Sequence, residues 1–247
     1  MKKVCWNITS KCNRNCKYCF KFNRKDLSLE NNLLILNRLI YNKVDKIVWA
    51  GGEPFLYKDF NKLLKISHDY NILNYVNTNA TKLNINNIKD KLLYVDKIII
   101  SLDFVNDKLN EINGIGKYYY KHVGEVIKEI NKVNKDIQVQ INTVLFRNNI
   151  NLIDELYNEL LDMNIDCLKL IRFLPVRGVA QSSKEDLSIT DLEFDNIYTK
   201  YSKSKQTFKI IIHGTREMND KHFIILSSGE LVCSKNGKDI IVDDKLY

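Results

Sequence analysis

The chain is short of the residues that break or staple a fold. Of its 247 residues only two are proline and nine are glycine. Pro54 and Pro175 stand far apart, and neither sits in a Gly/Ser-rich stretch, so no linker is marked. No run of about 18 consecutive apolar residues occurs, which excludes a membrane-spanning helix. The opening Met1-Lys2-Lys3-Val4-Cys5-Trp6-Asn7 lacks the apolar stretch of a signal peptide, so the expected compartment is a reducing cytoplasm. A chain of this length buries enough apolar surface to need no disulfide scaffold. Dense basic blocks and arginine-rich arms are also missing, which argues against nucleic acid as a partner. The net charge of +8, from 38 Lys and Arg against 30 Asp and Glu, still suits a small anion such as a phosphorylated metabolite or a nucleotide.

What is present is a repeat of strand and helix. Six apolar, β-branched runs read as strands: Val4–Thr9, Lys46–Ala50, Asn74–Asn77, Lys97–Ser101, Ile137–Leu145 and Cys167–Phe173. Apolar residues at helical spacing fill the gaps over Leu29–Tyr41, Phe60–His68, Asn84–Leu93, Tyr118–Val133 and Ile150–Met163. Alternation of this kind makes a parallel sheet with crossover helices. Six units are too few for the closed eight-unit barrel. The expected fold is therefore α/β, a partial (βα)6 TIM-type barrel over residues 1–178. Residues 179–247 are expected to cap it with a helix, Ser188–Tyr201, and a β-hairpin. That tail contributes Phe208–His213, Phe223–Leu226 and Glu230–Val232, the last two joined by Ser227-Ser228-Gly229.

Three of the six cysteines fall in one run, Cys12-Asn13-Arg14-Asn15-Cys16-Lys17-Tyr18-Cys19, directly after the first strand. Three thiolates on one loop can converge on a metal centre. Closed zinc sites and ferredoxin clusters take four ligands, and no second pair is spaced to complete them. Cys5, Cys167 and Cys233 are singletons in predicted strands and read as small buried hydrophobes. The arithmetic leaves three protein ligands and one open position. A second motif, Gly51-Gly52-Glu53-Pro54, follows the second strand. Its glycines let backbone approach a ligand closely, and its carboxylate can pair with an ammonium group. Further strands end in Asn77-Thr78-Asn79 and Ser101-Leu102-Asp103, and the fifth contains Asn142-Thr143. Small polar groups at a barrel's C-terminal rim suit ribose and carboxylate recognition.

The C-x3-C-x-aromatic-C run resembles the signature of the radical S-adenosylmethionine (SAM) superfamily, and Gly51-Gly52-Glu53-Pro54 resembles that family's GGEP motif. The resemblance implies that Cys12, Cys16 and Cys19 hold a [4Fe-4S] cluster whose fourth iron chelates SAM, with Tyr18 beside it. It further implies that Gly51, Gly52 and Glu53 receive the methionyl amine, and that Thr78, Asn79, Ser101 and Asn142 serve carboxylate, ribose and adenine. One electron, from a donor such as flavodoxin or ferredoxin, then releases a 5′-deoxyadenosyl radical. Within the superfamily, Cys19-Phe20, Gly51–Leu56, Ile141–Val144 and Met218–Leu226 look similar to the viperin-like enzymes, which convert a nucleoside triphosphate to a 3′-deoxy-3′,4′-didehydro product. In that tail His222 falls near a tyrosine thought to donate hydrogen, and imidazole is a poor substitute for a phenol. Lys169 and Arg177 are expected at the C-terminal rim, ready for an anionic substrate. Alternation along the strand puts Lys169 and Arg172 on opposite faces, so that if Lys169 points inward, Ile171 and Phe173 do too and Arg172 faces the helices. The alternatives are a radical SAM enzyme maturing a peptide or small metabolite, and a non-catalytic iron–sulfur redox module.

Overall fold

Alternate side chains of the first strands pack outward beneath helices, and this shapes the whole chain. A computed structural model describes residues 2–203, 207–215, 217, 220–235 and 238–243. Its elements run β1 (Lys3–Thr9), α1 (Leu29–Tyr41), β2 (Lys46–Gly51), α2 (Phe60–Asp69), β3 (Leu73–Thr78), α3 (Ile88–Lys91), β4 (Lys97–Ser101), α4 (Asp107–Ile112), α5 (Tyr119–Val133), β5 (Gln138–Leu145), α6 (Ile153–Leu161) and β6 (Cys167–Arg172). The tail adds α7 (Gly178–Ser182), α8 (Lys184–Leu187), α9 (Asp191–Lys203), β7 (Lys209–His213), β8 (Asp220–Ile225), β9 (Leu231–Lys235) and β10 (Lys238–Asp243). Among the described residues no helix is long and apolar enough to cross a membrane.

One sheet holds all ten strands, in the order β10-β9-β8-β1-β2-β3-β4-β5-β6-β7. Every pairing from β8 through β1 to β7 is parallel, while β9 and β10 are antiparallel. The partial barrel expected from the βα repeat is present, and the sheet does not close. The tail does more than cap it. Strand β7 lengthens one edge beside β6, and β8 to β10 lengthen the other beside β1. The expected hairpin turn at Ser227–Gly229 joins β8 to β9, with Leu226 N–H donating to the Glu230 carbonyl. His222 pairs with Ser234 across that hairpin, and its side chain lies outside the described residues.

Two helices differ from their periodicity. The helix expected over Asn84–Leu93 contracts to Ile88–Lys91. The Asn84 and Asn87 side chains accept from the backbone of Asn86 and Asn84, and such local bonds compete with a helix start. The stretch Ile150–Met163 opens with a 3-10 turn, Ile150–Leu152, before α6. Helix α9, expected over Ser188–Tyr201, begins at a Thr190 cap. Glu193 N–H donates to Thr190 Oγ1, and Thr190 N–H donates back to Glu193 Oε2, a reciprocal box.

The core lies between the sheet's outer face and the helices. Trp6 and Trp49 stack at 5.0 Å, and Phe60 of α2 meets Trp49 edge-on at 5.5 Å. The Trp49 indole N–H donates to Asn74 Oδ1 at 2.8 Å. Asn74 also accepts from Ser67 and donates to the Leu64 and Tyr94 carbonyls. A buried amide with every partner in place is stable, and leaving one unmade is costly. Trp49→Ala is therefore expected to destabilise the protein by about 3–5 kcal/mol, read as a lowered urea midpoint at unchanged m.

Candidate functional site

The loop of cysteines and the glycine turn are built as one piece. Gly52 N–H donates to the Thr9 carbonyl at 2.7 Å, and Glu53 N–H donates to the Lys11 carbonyl at 2.8 Å. A β-carbon on Gly52 would stand 2.0 Å from the Lys11 carbonyl oxygen, and one on Gly51, where φ is +120°, 2.3 Å from that of Thr9. The glycines thus admit the cysteine loop's own backbone, where the sequence reading had them admit a ligand. On its other side the loop is tied to the turn that follows α4: Asn15 and Lys17 N–H donate to the Gly114 and Asn113 carbonyls. Ala180 N–H donates to the Cys19 carbonyl, which brings α7 against the third cysteine.

Glu53 is completely buried. Its carboxylate accepts from Thr78 Oγ1 and Asn79 N–H, both at 2.7 Å, and from Phe55 N–H at 3.2 Å. Burial pushes its pKa up, opposed by these bonds and by the charge of Arg14. Thr78 and Asn79 therefore orient Glu53, a relation invisible in their spacing. Asn79 Nδ2 also approaches Cys12 Sγ at 3.7 Å. Ser101 and Asn142 are register partners on β4 and β5, side by side at the rim.

Behind the loop, Tyr18 stacks on Phe146 at 4.8 Å and donates its hydroxyl to the buried Asp103. Asp103 also accepts from Val144 N–H at 2.7 Å. Burial raises its pKa to about 6, against the pull of those two bonds and of Arg14. Cys16 is pushed up to about 12, mainly by burial with Asp103 adding, so loading a metal there releases a proton. Asp103 and Arg14 received no role from sequence; only their position inside or beside the motifs could have drawn attention to them.

Lys169 faces inward, and Arg172 faces the helices, bonded to Asp191 and the Ile189 carbonyl. Lys169 is not at the rim, however. It sits deeper in the lumen, within electrostatic reach of Lys3 at the foot of β1. Its backbone is the register partner of Asn142 on β5. Burial, with Lys3 adding, lowers its pKa to about 8. Arg177 is at the rim but engaged. Its guanidinium covers Phe22 at 3.9 Å and donates to the Phe20 carbonyl at 3.4 Å.

Among the described residues, no three His, Cys, Asp or Glu side chains gather closely enough to chelate a single metal ion. A four-iron cluster does not ask for that, because each of three irons takes one thiolate. The free, half-buried thiols of Cys12, Cys16 and Cys19 on one loop fit such a cluster, and so does the buried guanidinium of Arg14, whose Nε has no partner.

The buried Asp103 sets a pH signature for the metal-free protein. Its folded pKa lies above the unfolded value, so its contribution to stability is complete at low pH and is lost as pH rises through about 6. Urea unfolding from pH 4 to 7 should show this decline, and Asp103→Asn should flatten it.

The sequence profile of the radical SAM superfamily matches residues 6–160. The chain is 25% identical over 256 residues to the S-adenosylmethionine-dependent nucleotide dehydratase of Flammeovirga pacifica, covering 97% of this chain and 85% of that protein. It is 26% identical over 210 residues to a protein of the same name from Lacinutrix mariniflava, spanning 43% of that relative's length. The crystal structure of Streptococcus suis SuiB bound to S-adenosylmethionine superposes with a TM-score of 0.75 at 18% identity, over 93% of this chain and 59% of that one, a likeness of fold. With the profile spanning well over half its length, the chain belongs to the radical SAM superfamily, an enzyme of radical chemistry whose cofactors are a [4Fe-4S] cluster and S-adenosylmethionine.

Proposed function

We propose that the protein is a viperin-like nucleotide dehydratase, which takes CTP, UTP or GTP to a 3′-deoxy-3′,4′-didehydro nucleotide. The observation that carries this reading is the charge of the barrel's inner face. Strands β1 to β7 contain no Asp or Glu. They do contain Lys3, Lys46, Lys97, Lys169 and Lys209, and the alternation that buries Trp6, Trp49, Ile98 and Leu168 outward turns all five inward. Lys46 and Lys97 both stand over the ring of Tyr75, at 4.3 and 5.1 Å. Lys169 is partly buried with its charge opposed by that of Lys3, and a polyphosphate relieves that repulsion while restoring full charge to Lys169. The names of the two nucleotide dehydratases support the same substrate class.

In this reading Cys12, Cys16 and Cys19 hold the cluster, and Tyr18 packs behind it. When bound, the cluster and SAM supply the one-electron cleavage that makes the 5′-deoxyadenosyl radical. Glu53 receives the methionyl amine, held in place by Thr78, Asn79 and the turn at Gly51-Gly52. Ser101 and Asn142 face the ribose and carboxylate, and Lys169 binds phosphate below them. Arg177 closes the rim over Phe20 and Phe22. The balance consumes SAM, two electrons and a proton per nucleotide and releases methionine, 5′-deoxyadenosine and water, so a low-potential donor such as flavodoxin or ferredoxin is needed.

Anaerobic incubation with SAM, dithionite and a nucleotide panel tests the reading directly. A nucleoside triphosphate should stimulate 5′-deoxyadenosine formation and be returned lighter by one water. Lys169→Met should raise its KM at least about tenfold while SAM affinity holds. Turnover of a peptide or a neutral sugar with every nucleotide inert would overturn it. Separately, Glu53→Gln should weaken SAM binding by about 2–5 kcal/mol in calorimetry without loss of iron, since a buried charged partner is removed.

A further inference from the structure

Arg14 lies between the first two cysteines, and the geometry leaves its charge unanswered. Its side chain is only 9% exposed. The guanidinium lies 3.6 Å above the ring of Tyr119, and that ring is itself buried and anchored by its hydroxyl to the Ser101 carbonyl. The Nε–H has no hydrogen-bond partner. Among the described residues no carboxylate stands within ion-pair distance of it. The two nearby acids are committed elsewhere: Glu53 to Thr78, Asn79 and Phe55, and Asp103 to Tyr18 and Val144. A buried cation without a carboxylate partner is costly enough that proteins rarely keep one.

We propose that Arg14 is the built-in counter-charge of the iron–sulfur cluster, a positioning residue whose fixed guanidinium raises the cluster's reduction potential. The proposal rests on the assignment of Cys12, Cys16 and Cys19 as ligands, and it holds whatever the substrate. A [4Fe-4S] core with three thiolates carries a net negative charge that grows by one on reduction. A fixed positive charge nearby therefore favours the reduced state, and hydrogen bonds and charge around the sulfurs are established levers on such potentials. Arg14 is within electrostatic reach of Cys16, Glu53 and Asp103. That places the charge between the loop and the turn where SAM's amine is expected. The Tyr119 platform matters because a cation held over its ring stays beside the loop instead of swinging out to water.

The test is the cluster's midpoint potential, measured without SAM by electron paramagnetic resonance in a redox titration of the reconstituted full chain. In Arg14→Met the potential should become more negative by about 59 mV or more, which is a tenfold change in the reduction equilibrium of a one-electron couple. Arg14→Lys should recover most of that shift. An unchanged potential in Arg14→Met at full iron content overturns the proposal, as does an equal shift in both variants. If Arg14→Met takes up no cluster, iron content decides. Uptake by Arg14→Lys supports a need for the charge, and failure of both variants shows that Arg14 only holds the loop and overturns the proposal. A wild-type protein that binds no iron after reconstitution would instead remove the ligand assignment.

Discussion

Everything at the barrel's mouth depends on the contact of two backbones. The turn after β2 presses against the loop after β1 so closely that Gly52 has no room for a β-carbon. Two short hydrogen bonds, to the Thr9 and Lys11 carbonyls, seal the approach. The contact puts Glu53 beside the cysteine loop with its amide already spent, so only its carboxylate is left to face Thr78, Asn79 and the cofactor. Side chains alone could not hold two loops in that relation, because rotamers would soften it. A backbone ladder extended past the strand ends cannot slip without breaking the sheet register.

A second constraint runs beneath the first. Outward residues of the strands are large and apolar: Trp6 and Phe60 pack on Trp49, whose indole joins Ser67 on the fully bonded Asn74. Because strand side chains alternate, filling the outer face with tryptophan and isoleucine commits the other residues to the lumen. Lysines gather there on strands β1 to β7, which themselves carry no acid. The barrel's stability thus comes from one face and its chemistry from the other. Arg14 repeats the pattern at the rim, a cation held in place by an aromatic ring and left unpaired.

The strand–helix alternation was readable because six β-branched runs and five helical periodicities were long enough to declare themselves. The cysteine run and the Gly-Gly-Glu-Pro turn were readable because their spacing is local. The tail was harder. β10 carries no signal beyond Ile240-Ile241-Val242, and nothing in a sequence says that β7 and β8 join opposite edges of one sheet. The helix over Asn84–Leu93 shrank because asparagine side chains captured its first backbone groups.

By itself the sequence determined the parity of each strand, and with it that Lys169 and Arg172 lie on opposite faces. It also determined which loops carry thiolates and carboxylate. Only the tertiary structure decided depth and partnership. Lys169 proved to lie deep in the lumen because its height follows from the stagger between neighbouring strands, which no single strand encodes. Arg177 closed on Phe20 and Phe22, residues over 150 positions away in sequence. Thr78 and Asn79 became supports for Glu53, and Arg14 became a lone buried charge, because burial and hydrogen-bond satisfaction are properties of what surrounds a residue in space.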